Sequence, residues 1–223
     1  MPEFCSFYIA FHRLLFPMEQ RELTEIIISW ITISMAFAIL MSRDFLNIFS
    51  LASAMPIAFF AVGTGFIFHE LAHRNVAKHF GAHAEYRLWW FGLLFTIIIP
   101  IITFGSFFFA APGAVYVFGD EKIGRKENGI ISAAGPAANI IIAIILIVAS
   151  GFFVQNELIF GILMTSAYIN FYLAFFNLLP ILILDGTKVF VWNSAVWGAL
   201  FLISAAGSFF FDSIAKIVLG TLF

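Results

Sequence analysis

From Leu51 to Phe68 no side chain carries a charge, and the run ends abruptly in His69, Glu70 and His73. A stretch of that length approaches the roughly 20 apolar residues that cross a bilayer, and ionisable groups at its end are costly unless they have a function. The rest of the chain has the same character. Of 223 residues 62% are hydrophobic and 11% charged, 31 are phenylalanine, and the mean hydropathy is +1.03. A soluble globular domain does not need that composition, so the expectation is an all-α polytopic membrane protein. The net charge of -2 excludes nothing by itself, but no basic face with interleaved aromatics suggests nucleic-acid binding, and no nucleic acid is expected as a partner. Cys5 is the single cysteine, so neither an internal disulfide nor a cysteine zinc cluster can form within one chain. Any metal must be held by His, Asp or Glu.

Apolar runs and polar breaks give about five to six transmembrane helices. The first runs from about Thr24 to Met41 and is closed by Ser42, Arg43 and Asp44; the second covers Leu51 to His73. Along the second, Ala61, Gly65, His69 and His73 recur every four residues and form one face, small at first and polar at its end. Further spans cover about Gly129 to Ser150, Leu158 to Leu179 and Val191 to Phe211. Residues 88 to 118 are apolar but hold Pro100, Gly105, Pro112 and Gly113, poor material for one straight helix, and are expected to form a membrane-embedded re-entrant segment. The N-terminus lacks a basic leader region and is broken by His12 and Arg13, which reads as a retained interfacial segment. The expected division is 1–50 for that segment and the first span, 51–190 for the core, and 191–223 for the last span and tail.

Two histidines four residues apart lie on one helix face and can grip one metal ion, with Glu70 a step around the helix and placed to activate a water there. A catalytic zinc site takes three protein ligands and keeps one position open. Among the remaining acids, Glu157 should lie across the membrane from His73, while Asp120 and Glu121 belong to a solvated loop. Asp185 remains, followed by Gly186; an ordinary turn at a membrane boundary is the competing reading. Ser166, Asn170 and Asn177 form a polar stripe on the fourth span that points toward Asp185, and Asn139 on the third span can face the same interior. His79 and His83 read as solvated or interfacial. Arg74, Lys78 and Arg87, like Lys122, Arg125 and Lys126, place their loops in the cytoplasm under the positive-inside rule, and Gln155 to Glu157 outside. For His69 and Asp185 to share a metal, residues 88 to 118 must return the chain to the side it left.

H-E-L-A-H at 69–73, G-P-A-A-N at 135–139 and N-L-L-P-I-L-I-L-D-G at 177–186 together resemble the site-2 proteases, the intramembrane zinc metalloproteases of peptidase family M50. The resemblance covers roughly residues 51 to 190 and implies a three-helix catalytic core. It implies one zinc per chain on His69, His73 and Asp185, Glu70 as general base and acid, and Asn177 as a group contacting substrate or oxyanion; Asn139 joins it as a candidate substrate contact. There are departures: no PDZ or CBS module is read, and the segment after the first motif is longer and more apolar than the short membrane-associated strands familiar in the family.

The expected activity is hydrolysis of a peptide bond within or near a transmembrane helix of a membrane protein, that is, regulated intramembrane proteolysis. Its partners are that substrate and the lipid bilayer, and its location is the cell membrane, multi-pass, with the site opening toward the cytoplasm. A polar cavity lined by Ser166, Asn170 and Asn177 would admit water. Two other classes fit the same residues: a transporter or channel with an ion path through the polar stripe, or a catalytically inactive scaffold that binds membrane helices. Oligomeric state is left open.

Overall fold

Apolar periodicity with few interior breakers produces long helices, and the chain is mostly that. The computed structural model describes residues 18–42, 46–106, 110–118, 123–181 and 184–222. The segment before Met18 with His12 and Arg13, then Arg43 and Asp44, and Asp120, Glu121 and Lys122 lie outside the described residues. Helix α1 spans Gln20–Met41. Asn47 then accepts the N–H of Phe49 and starts α2, Ile48–Val62, which continues through a π turn, Gly63–Ile67, into α3, Phe68–His79. These last three form one 32-residue rod. Strand β1, His83–Leu88, helix α4, Trp90–Ile102, and strand β2, Gly113–Phe118, follow. The chain then runs through α5, Arg125–Gly151, α6, Glu157–Asn177, α7, Asp185–Trp192, α8, Ser194–Phe209, and α9, Phe211–Leu222.

Four helices are long and apolar enough to cross a membrane: α1, the α2–α3 rod, α5 and α6. A fifth span exists if α8 and α9 are counted together, although they meet at a 90° bend. The expected five to six spans therefore become four to five among the described residues. The last expected span ends in this bend because α8 stops at Phe209 and the chain turns before α9 begins.

Residues 88 to 118, expected to re-enter the membrane, carry strand structure that begins upstream at His83. Strands β1 and β2 pair antiparallel with His83 opposite Phe118 and Leu88 opposite Gly113, so the segment delivers the chain back beside the end of α3. Helix α4 has 13 residues and, at 1.5 Å rise, is about 20 Å long, short of a roughly 30 Å hydrocarbon core. The segment expected to re-enter thus belongs to a two-stranded ribbon, the kind of short strand from which the sequence was expected to depart. Tyr86, Val115, Tyr116 and Val117 supply the β-branched and aromatic side chains that favour a pleated surface, and exposure alternates residue by residue along β2.

Small residues set the helix spacing. Ala143, Ala167 and Ala174 pack with Ile140, Ile147 and Phe171 between α5 and α6, so these two helices approach closely. At the next junction a Cβ on Gly186 would stand 2.1 Å from the carbonyl oxygen of Leu178. Only glycine lets the start of α7 lie against the end of α6.

The N–H groups of Tyr86 and Leu88 point away from β2, which makes Ala84–Val117 one of the closely spaced, non-hydrogen-bonded pairs of the ribbon. In a Cys5→Ser background, the pair Ala84→Cys and Val117→Cys should oxidise to an internal disulfide read as a gel shift, whereas Ala84→Cys with Val115→Cys should not.

Candidate metal centre

The π turn at Gly63–Ile67 sits immediately before the histidines and adds a residue to the helical turn there. Thr64 takes up part of the disturbed backbone, its hydroxyl donating to the carbonyls of Phe60 at 3.0 Å and Ala61 at 3.1 Å. Ala61, Gly65, His69 and His73 are all buried, so the expected face exists and packs inward. His69 lies about 15 Å from the helix end at His79, counting 1.5 Å per residue, well within the rod.

Three side chains converge where the sequence placed a metal. The Nε2 atoms of His69 and His73 are 3.0 Å apart, and Asp185 Oδ2 is 3.1 Å from His73 Nε2 and 3.3 Å from His69 Nε2. Four tetrahedral ligands about 2.0–2.1 Å from zinc would stand about 3.3 Å from one another. Among the described residues this is the group of three that can hold a metal ion. The helix facing it leaves the space bare: a Cβ on Gly135 would fall 2.4 Å from His73 Nε2 and 2.7 Å from His69 Nε2. Two imidazoles and a carboxylate also match the donor set of catalytic zinc sites.

Each imidazole is oriented from behind. His69 Nδ1–H donates to Asn139 Oδ1 at 2.5 Å, and His73 Nδ1–H donates to the carbonyl of Ile131 at 2.7 Å. Both rings therefore present an Nε2 lone pair to the centre. Asn139 is itself fixed, its Nδ2 donating to the carbonyl of Gly65 at 2.8 Å and to Asn170 Oδ1 at 2.9 Å. Asn170 Nδ2 continues the chain to Thr64 Oγ1 at 3.2 Å and to the carbonyl of Ser166 at 2.9 Å. Asp185 opens α7, whose far end is held by Arg125 Nε donating to the carbonyl of Val191 at 2.7 Å.

Glu70 lines the same cavity, about 300 Å³ in volume, together with Val115 and Val117 of β2. Asn177 and Asp185 line this cavity too. Ser166, Asn170 and Asn139 do not: all three are fully buried between helices, and the water route expected along the whole polar stripe is lined by its Asn177 end. His79 is exposed and His83 bonds Glu85 at 2.7 Å; neither joins the metal group.

The sequence reading passed over Glu22 and Arg74. Arg74 was counted as a loop cation, yet it is buried, with Nε 2.7 Å from Glu22 Oε1. The available signal was Q-R-E-L-T-E, which sets two acids three residues apart on one face at the start of an apolar helix. Tyr86, also buried, donates its hydroxyl to Ser29 Oγ at 2.9 Å; burial lifts its pKa above the ordinary value against the smaller pull of that bond, and it stays neutral.

Apolar spans around a His–His–Asp centre with an adjacent glutamate define a membrane protein with the metal site of a metallohydrolase. Over 183 residues the chain is 39% identical to a Methanocaldococcus jannaschii protein whose provisional name is zinc metalloprotease, a match covering 82% of this chain and 90% of that one. It is also 29% identical over 133 residues to a second protein of that organism, named zinc metalloprotease, covering 60% of this chain and 33% of the relative. No family model and no solved structure matches. On the first likeness the chain belongs to the zinc metalloprotease family of that relative.

Gly135→Ala should displace the two imidazoles without replacing a candidate ligand. Zinc affinity, measured by competition with a chelating dye, should fall by about 10- to 100-fold while the protein stays monodisperse with wild-type helical circular dichroism.

Proposed function

We propose that this protein is an intramembrane metalloprotease of the site-2 type, carrying one zinc on His69, His73 and Asp185 and cutting a peptide bond within or near a transmembrane helix of another membrane protein. The observation that carries the reading is the position of Glu70, which lines one cavity among the helices together with His69, His73, Asp185 and the β2 residues Val115 and Val117. Zinc, when bound, supplies Lewis acidity that polarises the scissile carbonyl and acidifies a water.

The chain's own groups do the rest. One oxygen of the Glu70 carboxylate accepts the proton of the attacking water and later returns it to the amide nitrogen that leaves. Val115 borders the cavity that Glu70 lines, and Asn177 lines the same cavity as a contact for the substrate carbonyl. A transmembrane helix hides its own amides in hydrogen bonds, so the substrate must unwind before its backbone is accessible. Strand β2 has β1 on one side only, and Gly113, Val115 and Val117 border the cavity on the other; an unwound segment can pair with this edge and be laid over Glu70. Asn139 acts here through His69.

The ion-path reading draws less support, because Ser166 donates to the Ile162 carbonyl of its own helix, Asn170 is held by Asn139, Thr64 and the Ser166 carbonyl, and neither lines the cavity. The location that accompanies the protease reading is the cell membrane, with the site opening toward the cytoplasm.

Glu70→Gln should keep its zinc, measured by elemental analysis, and cleave a model transmembrane substrate about 10²- to 10⁴-fold more slowly than the wild type. Wild-type rates in that variant would remove the base from Glu70. Cysteines placed at Lys126 and Asn156 should react with an impermeant label from the cytoplasmic and the opposite side respectively; labelling of both from one side would break the proposed orientation.

A further inference from the structure

Ribbon β1–β2 has two outer edges. The β2 edge borders the cavity that Glu70 and the metal group line. On the β1 edge, Tyr86 N–H donates to Glu22 Oε1 at 3.0 Å and Leu88 N–H donates to Glu25 Oε2 at 3.0 Å. N–H groups two residues apart in a strand point the same way, and acids three residues apart share a helix face, so α1 meets the strand with matched spacing. The same Glu22 oxygen forms an ion pair with Arg74, its Nε 2.7 Å away and both side chains at most 2% exposed, and Arg74 directly follows the candidate metal ligand His73. One carboxylate therefore ties together the first span, the metal helix and the ribbon. Tyr86 strengthens the joint from within, bonding Ser29 on the same face of α1 and standing edge-on to Phe66 in the π turn at 5.7 Å.

We propose that Glu22 and Glu25 are positioning residues for substrate: they fix the height and register of the ribbon so that the β2 edge stays aligned above the metal centre. This makes α1, which supplies no metal ligand, a working part of the substrate site. An ion pair serving only to neutralise Arg74 would need neither the second bond from Glu22 to the strand nor the parallel bond from Glu25. A two-stranded ribbon is marginal by itself, and its open edge is costly in an apolar setting, so its placement depends on what caps that edge. The consequence for substrate rests on the protease reading; the placement of the ribbon does not.

The test uses the full-length, zinc-loaded protein in lipid nanodiscs. Glu22→Ala alone would strand a buried Arg74 and endanger folding, so two other variants are compared. Glu25→Ala leaves the Glu22–Arg74 pair intact, and Glu22→Leu with Arg74→Met removes both charges together. In each, amide hydrogen exchange read by mass spectrometry should accelerate about tenfold in peptides covering 83–88 and 113–118, with α5 and α6 peptides and zinc content at wild-type values. KM for a membrane-spanning substrate should rise about tenfold with kcat falling less than about threefold. Wild-type exchange in the ribbon overturns the proposal, as does accelerated exchange with an unchanged KM. Zinc loss or accelerated exchange throughout the core in both variants would reduce the pair to an ordinary structural brace and also overturns it. If the wild type cleaves no membrane substrate, the protease reading fails, and the exchange comparison alone decides whether the carboxylates position the ribbon.

Discussion

The hydrogen bond from His69 Nδ1–H to Asn139 Oδ1 is the contact on which the metal centre most depends. A neutral imidazole has one protonated nitrogen, and a metal ligand is useful only if that proton sits on the far side of the ring. In a soluble enzyme water can compete for either nitrogen; inside an apolar bundle the choice is made by protein groups. Asn139 makes it for His69 and the Ile131 carbonyl makes it for His73, both from α5. That helix also removes the one Cβ that would enter the centre, at Gly135. The G-P-A-A-N motif is therefore a surface shaped for two imidazoles: a gap at its first residue and an acceptor at its last.

The same logic explains why buried amides run in series. An isolated Asn139 would carry a donor group with nothing to bind in hydrocarbon, at several kcal/mol. Asn170 accepts from it, and Asn170 is in turn satisfied by Thr64 and Ser166. Thr64 belongs to the π turn, where the helix has given up its regular ladder. The irregularity that aims His69 inward thus also supplies the last acceptor of the network that orients it. Removing one member exposes the others, so the cost of a substitution here should exceed that of a single hydrogen bond.

What was legible in the sequence was the part encoded by helical spacing and apolar length. His69, Glu70 and His73 declare themselves by a four-residue step at the end of an uncharged run, and Asp185 by elimination among few acids. The structure assembles the first and third with Asp185 and leaves Glu70 beside them. The stripe on α6 was also visible, but its direction was not: period alone cannot tell a face packed against α5 from one that lines a cavity, and only Asn177 reaches the opening. Strands β1 and β2 were missed because an apolar tract broken by proline and glycine fits several re-entrant shapes. Their pairing is a long-range fact, with His83 opposite Phe118, that no local pattern contains. Arg74 was misjudged because a cation after a metal motif reads as a loop charge unless its partner, more than fifty residues earlier, is known.

A ribbon placed among membrane helices faces a stricter requirement than one in water, since each edge N–H must find an acceptor or open onto a polar space. Breaking a buried ion pair by deleting one partner costs about 3–5 kcal/mol, whereas a surface pair contributes little. Nature's use of a nearly inaccessible Glu22–Arg74 pair to cap a strand is therefore expensive if all it does is stabilise. Its geometry gives it a second effect. Because Tyr86 stands opposite Val115 in the register, a carboxylate that fixes the N–H of Tyr86 on the outer edge fixes, across one strand, the N–H of Val115 on the inner edge. Val115 borders the cavity that Glu70 lines. Position is thus carried from a buried charge on α1 to the wall of the cavity at the candidate metal centre through two paired residues, over a path too short and too rigid for the ribbon to slip by one register without turning every side chain to its opposite face.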